Sequence, residues 1–143
     1  MYVDSNSRGM EEYLDVFKAL SDKTRLRMLS LLIRKRVELC LCEVADALDK
    51  NHYNVSRHFK VLKRAGLVKE RREGRYVFYS LAEPESVFYE YIIKAVLSIK
   101  KGLLKEDNRR LKLRISLRKN GRCVVGLNSN EWKEALRLHI NRS

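Results

Sequence analysis

Apolar residues recur at helical spacing through most of the first hundred positions. Leu14, Phe17 and Leu20 share one face of the stretch Glu11 to Leu20. Ser21 then offers a cap, and Asp22 a favourable first-turn acid, for a second helix. In it Leu26, Leu29, Leu32 and Ile33 repeat while Arg25 and Arg27 point elsewhere. After Arg34-Lys35-Arg36, the segment Val37 to Leu41 alternates as a short extended piece does. A third helix is predicted to start near Cys42, with Leu41, Val44 and Leu48 inward. The polar turn Asp49 to Asn51 leads to a fourth, with Val55, Phe59, Leu62 and Ala65 inward. Gly66 stands where a helix end favours glycine.

The period then shortens to two. Val68, Tyr76, Phe78 and Tyr79 are strand formers, Glu73-Gly74 marks a tight turn between two strands, and Arg71, Arg72 and Arg75 cluster at its tip. Pro84 suits the first turn of a further helix carrying Phe88, Tyr91, Ile92, Ala95, Val96 and Ile99 in one stripe. Three helices, a helix entered after a short turn and a two-stranded ribbon make a winged helix-turn-helix, mainly α with a small β wing. Beyond it, Leu111, Leu113, Ile115 and Leu117 alternate with Lys112, Arg114, Ser116 and Arg118, which predicts a strand. Asn120-Gly121 is a strong hairpin signal, Cys123 to Leu127 would return as the partner strand, and Asn128 to Asn130 would cap a last helix carrying Trp132, Leu136 and Ile140. The organisation expected is a flexible N-terminus (1–10), a DNA-binding and dimerisation domain (11–104) and a basic C-terminal β-hairpin/helix extension (105–143).

Composition narrows the partners. The chain has 143 residues, 45% of them apolar, enough for one folded core. Its 31 Lys and Arg against 18 Asp and Glu leave a net charge of +13, which favours nucleic acid or an anionic membrane surface. No apolar run approaches the roughly 20 residues of a membrane helix, and Met1 to Met10 lacks the layout of a secretory signal. The expectation is a soluble, cytoplasmic protein with no membrane partner. Three cysteines are too few, and odd in number, for a disulfide framework. In a reducing compartment they stay thiols, open to soft metals or oxidants. An enzyme is disfavoured: there is no phosphate loop or Ser/His/Asp array, and His52, His58 and His139 have no evident carboxylate partner.

The fourth helix carries His52, Tyr53, Asn54, Ser56, Arg57, Lys60 and Lys63 on its outward side. Arg and Asn make bidentate contacts to guanine and adenine edges, whereas Lys and Ser more often fix phosphates. The wing arginines Arg71, Arg72 and Arg75 would reach flanking phosphates or the minor groove. A helix face that is merely basic and solvated would look the same in isolation. The wing and the net charge together favour double-stranded DNA.

The stretches "FKALSDKTRLRMLSLL", "ELCLCEVADAL" and "NVSRHFKVLKRAGLVKERREGRYVFYSL" resemble the ArsR/SmtB family of metal-responsive winged repressors, over Glu11 to about Leu104. The resemblance implies a cytoplasmic homodimer that represses its own operon and leaves its operator when a metal or metalloid binds. Glu38-Leu39-Cys40-Leu41-Cys42 matches the sensing motif of the arsenic-responsive members. Trivalent arsenic or antimony, As(III) or Sb(III), is thiophilic and takes three thiolates. Cys40 and Cys42 point the same way only where the backbone between them is extended, so capture is expected to unwind the first turn of the third helix. The helix N-terminus and Arg34 to Arg36 would favour the thiolates.

Some members carry a third cysteine where this chain has Ala45, which leaves Cys123. A two-residue Asn-Gly loop would set Cys123 opposite Arg118 on the polar face, and a three-residue loop opposite Leu117 on the apolar face. Without Cys123, a two-thiol site would suit a methylated arsenical. Zinc or cadmium sensing is the rival: Met1 to Glu12 has no Cys, Pro84 to Leu104 has no His, and zinc's four-coordinate shell lacks ligands. The same residues would also serve a thiol-redox switch, in which Cys123 pairs with Cys40 or Cys42, or a constitutive nucleic-acid-binding module that needs no ligand.

Overall fold

A computed structural model describes residues 9–142, with side chains through Ile140. The helices are α1 (Gly9–Leu20), α2 (Lys23–Lys35), α3 (Leu41–Leu48), α4 (His52–Arg64), α5 (Val87–Leu97), α6 (Lys105–Ile115) and α7 (Asn130–Arg142). A 3-10 turn, Lys101–Leu104, leads into α6. The strands are β1 (Leu39–Cys40), β2 (Val68–Glu73) and β3 (Tyr76–Leu81) in an antiparallel sheet of order β1-β3-β2. The winged helix-turn-helix read from the sequence is therefore present, with α4 in the position of the recognition helix. Gly9 and Met10 already belong to α1, and the rest of the expected flexible N-terminus, 1–8, lies outside the described residues. No described helix is long and apolar enough to cross a membrane.

The core joins Val16, Met28, Leu29, Leu32, Leu39, Val44, Val55, Phe59, Leu62 and Tyr79, all buried. Phe59 of α4 stacks on Tyr79 of β3 with ring centroids 3.8 Å apart, which sets the recognition helix against the wing. Local signals fix the helix ends. The Asn51 side chain accepts from the N–H of Tyr53 and of Asn54, at 2.7 and 3.3 Å, to start α4. At its other end Gly66, with φ +79°, lets its own N–H reach Lys63 O and that of Leu67 reach Leu62 O, both at 3.0 Å. A Cβ there would also stand 3.0 Å from the Tyr89 hydroxyl oxygen, which donates to Ala65 O.

Asp22 accepts from Arg25 N at 2.9 Å and caps α2. Asp22→Ala is expected to cost about 1 kcal/mol, read by denaturant unfolding at neutral pH. That N–H bond, despite partial burial, holds the Asp22 carboxyl below the usual carboxylate range. A folded-state pKa lowered in this way means that the stabilisation is complete above the ordinary carboxylate value. It is lost as pH falls through the depressed one. The difference between wild type and variant should therefore close at acid pH.

Two sequence expectations are corrected. Pro84 does not sit in a helix: α5 begins at Val87 after Ser86. The predicted strand Leu111 to Arg118 is instead the second half of α6 and the turn after it, and Cys123 to Leu127 forms no strand. Of the predicted hairpin only the Lys119–Arg122 bridge remains, closed by Asn120 and Gly121, both with positive φ. The cause is that α3 is buried on every side, its Glu43 and Asp46 included. Those carboxylates are covered by Arg114 and Arg118, four residues apart on a helix and the turn that ends it, while Arg110, one turn earlier, reaches the α3 backbone carbonyls.

Candidate functional site

The segment Glu38 to Glu43 turns from sheet to helix at a cysteine. Cys40 is the last residue of β1, paired with Phe78 of β3, and it also precedes the first residue of α3 in extended conformation, φ −71° and ψ 143°. Glu43 reaches back to accept from Cys40 N at 2.9 Å, one half of a capping box. Because Cys40 is extended and Cys42 lies in the first turn, both sulfurs face the same side. They are 3.1 Å apart while α3 keeps its first turn, the extended backbone expected of a converging pair being supplied at Cys40 itself.

Cys123 completes the group. Its sulfur lies 3.6 Å from that of Cys42, and the three sulfurs lie within 4.8 Å of one another. All three residues are buried, with Tyr76 and Phe78 of the wing packed against them. The turn has the two-residue form, yet Cys123 is buried among thiols rather than on a polar face, because no strand extends beyond the single bridge. Three thiolates about 2.3 Å from one ion stand roughly 3.3–3.8 Å apart, so the sulfurs need only small shifts to take a three-coordinate soft ion.

The electrostatic setting comes from α6 and its following turn, not from Arg34 to Arg36. Arg34 donates to Ser30, Leu97 and Ile99 on another face. Arg110 donates to the α3 carbonyls of Ala47 and Asp46, at 2.7 and 2.8 Å. Arg114, with 0% exposure, pairs with Asp46 at 2.8 Å, donates to Val125 O at 2.7 Å and comes within 3.7 Å of Cys42 Sγ. Arg118 pairs with Glu43 at 2.6 Å and donates to Glu38 O at 2.9 Å. Sequence reading missed these three residues, and the signal that would have found them is their fourfold spacing opposite the Glu43 and Asp46 pair.

Hydrogen bonds from Cys123 and Cys42 hold the Cys40 thiol well below its usual range. Cys42 is pushed up by its hydrogen bonds to Cys123 and Cys40 and by burial, and Cys123 is pushed up by the same contact with Cys40. The group thus takes one negative charge readily and resists a second.

The recognition helix α4 presents His52, Tyr53, Asn54, Arg57, Lys60 and Lys63 exposed and Ser56 half-buried. The Arg57 guanidinium lies over the Tyr53 ring at 5.6 Å. The wing arginines divide. Arg71 is engaged by Glu38 at 2.7 Å and Glu73 at 3.1 Å. Arg72 and Arg75 project at the tip, where Arg72 has only a loose 3.5 Å approach to Glu70. Lys63 leans toward the same Glu70 at 3.7 Å, so it faces the wing base. His139, away from the thiols, is half-buried on α7.

Comparison with known proteins agrees with this layout. Residues 22–70 match the family described as bacterial regulatory protein, arsR family. The chain is 38% identical over 96 residues, 67% of its length and 74% of the relative's, to the arsenic resistance transcriptional regulator ArsR1 of Pseudomonas putida. It is 42% identical over 66 residues, 46% of its length and 54% of the relative's, to a cadmium resistance transcriptional regulatory protein CadC homolog of Staphylococcus aureus. Among solved structures it resembles the homodimeric winged helix-turn-helix DNA-binding domain of a possible ArsR-family transcriptional regulator from Mycobacterium bovis. The TM-score is 0.54, with 27% identity over 69% of this chain and 89% of that one.

Proposed function

The chain belongs to the ArsR family of bacterial regulatory proteins, and from that membership and its thiol site we infer a cytoplasmic repressor that releases its operator when As(III) or Sb(III) is captured by Cys40, Cys42 and Cys123. Its relatives and fold are those of DNA-binding transcriptional regulators, not of enzymes. The observation that carries the metalloid reading is the convergence of three buried sulfurs, with no His, Asp or Glu in the cluster among the described residues. A soft, three-coordinate, pyramidal ion fits that donor set, and a four-coordinate zinc site lacks its fourth ligand.

Homodimerisation is supported by exposed apolar residues on two elements, Tyr13, Leu14 and Phe17 on α1 and Val87 and Tyr91 on α5, and by the homodimeric neighbour. We assign DNA contact to His52, Tyr53, Asn54, Ser56, Arg57 and Lys60 of α4, with Arg72 and Arg75 on phosphate. Lys63 and Arg71 chiefly brace the wing. Arg57→Ala is expected to weaken operator binding by about 1–3 kcal/mol, measured by fluorescence anisotropy, as loss of one good base contact does.

Coupling between the two sites follows from where Cys40 stands. It belongs at once to the sheet that holds the wing and to the cap of α3, the helix before the recognition helix. Drawing the three sulfurs to a common centre moves Cys123 and Cys42 relative to Cys40. That shift loads the β1–β3 pairing and the seat of α4 together. Three sulfur–metalloid bonds would form as three metalloid–hydroxide bonds break, each thiol proton leaving with a hydroxide as water.

Operator release titrated with arsenite, antimonite, methylarsenite, cadmium and zinc tests the assignment. Release by the metalloids at the lowest doses supports it. Release by cadmium alone would move the chain to the cadmium-responsive side of the family.

A further inference from the structure

We propose that the cleft between the C-terminal end of α2, the Lys101–Leu104 turn and α6 binds a compact polyanion carrying adjacent phosphate groups. Arg34, Lys35, Lys101, Lys105, Arg109 and Lys112 line it around a volume of about 400 Å³, and no carboxylate does. Among the described residues Lys35, Lys101, Lys105 and Lys112 have no ion-pair partner. Arg109 meets only Glu106, at 3.5 Å along its own helix. Arg34 is held in place by neutral acceptors, Ser30 Oγ at 3.1 Å and the carbonyls of Leu97 and Ile99 at 3.3 Å, so its charge stays uncompensated while its head is fixed.

Six cationic residues from three elements thus line one concavity, their aliphatic stems forming much of its surface. Like charges brought together repel, and an anion in their midst reverses the sign of that interaction. The shape selects the kind of anion. A cleft of this size is in the range that takes small ligands, whereas a DNA duplex is a stiff rod met by helices and strands that project into its grooves. The groups that project in this way are on α4 and the wing tip, which the cleft does not include. A short polyphosphate chain would meet Lys101, Lys105 and Lys112 from one wall and Arg34 and Lys35 from the other.

Isothermal titration of the full chain with sodium tripolyphosphate, at fixed ionic strength, tests this. Binding is expected at one site per chain and is expected to weaken at least about tenfold in Lys101→Glu/Lys105→Glu/Lys112→Glu, whose three positions are exposed. Operator affinity of the same variant should stay within about twofold of wild type. Should the triple variant not fold, each single reversal carries the same sign at a smaller size. Unchanged tripolyphosphate affinity overturns the proposal. So does loss of operator affinity with a flatter salt dependence, which would give the cleft to DNA backbone. Lys60→Glu on α4 serves as the opposite control: if it alone abolishes tripolyphosphate binding, the anion sits on the DNA face and the proposal falls.

Discussion

Replacing Cys42 by serine is expected to raise the arsenite dose that frees the operator by roughly a hundredfold or more, equivalent to about 2.7 kcal/mol of capture free energy. Cys42 is the middle sulfur, in contact with both Cys40 and Cys123, so its loss leaves the other two without their shared neighbour. A serine oxygen in its place is a hard donor that a soft ion accepts poorly. Operator affinity without inducer should be little changed, because the substitution is nearly isosteric. Cys123→Ser separates three-thiol from two-thiol capture. It should lose response to arsenite and keep response to methylarsenite, which already carries one carbon in place of a sulfur. Release of the Cys42→Ser protein at the wild-type dose, read by fluorescence anisotropy, would remove the thiol group from the mechanism.

The second large effect concerns folding. Arg114→Met is expected to destabilise the protein by about 3–5 kcal/mol at neutral pH, the usual result of stripping the partner from a buried charge. Asp46 is 5% exposed and would retain only the backbone N–H of Asn128, at 3.0 Å. Burial already pushes the Asp46 carboxyl above its ordinary range in spite of Arg114, and removing the guanidinium pushes it further. In the variant the folded-state pKa then exceeds the unfolded one. Its stability is therefore highest below the ordinary carboxylate value and falls as pH rises through the raised one. The gap to wild type should be widest at neutral pH and narrow in acid, as followed by urea denaturation across pH. Asp46→Asn in the Arg114→Met background should recover much of the loss, since the amide still accepts from Asn128 and carries no charge. A flat pH dependence would mean that Arg114 matters for its packing alone.

The winged unit was legible because its residues obey simple periods. Phe59, Leu62 and Val55 fall at helical spacing and are all buried, and Tyr79 alternates inward beside them. Cys40 and Cys42 were legible as a pair but not as a preassembled one. That depends on Cys40 being extended, which neither residue reveals by itself. The C-terminal region was misread for a physical reason. Leu111, Leu113, Ile115 and Leu117 alternate cleanly, yet in α6 the inward side carries Leu111 and Arg114 together. A charged side chain at 0% exposure defeats a reading that sorts residues by polarity. Its counterpart, a helix with buried Glu43 and Asp46, lies far away in the chain. The position of Cys123 followed from that packing rather than from hairpin register.

The same guanidinium sets apart two kinds of electrostatics in one small molecule. Exposed cations on α4 and at the wing tip, which we assign to DNA contact, would compete with dissolved counterions for phosphate, so their grip should loosen steadily as salt is added. Counterions cannot approach the contact between Arg114 and Asp46, which is sealed from solvent. A brine that strips this protein from DNA should therefore leave its thiol chamber assembled and still able to take its inducer.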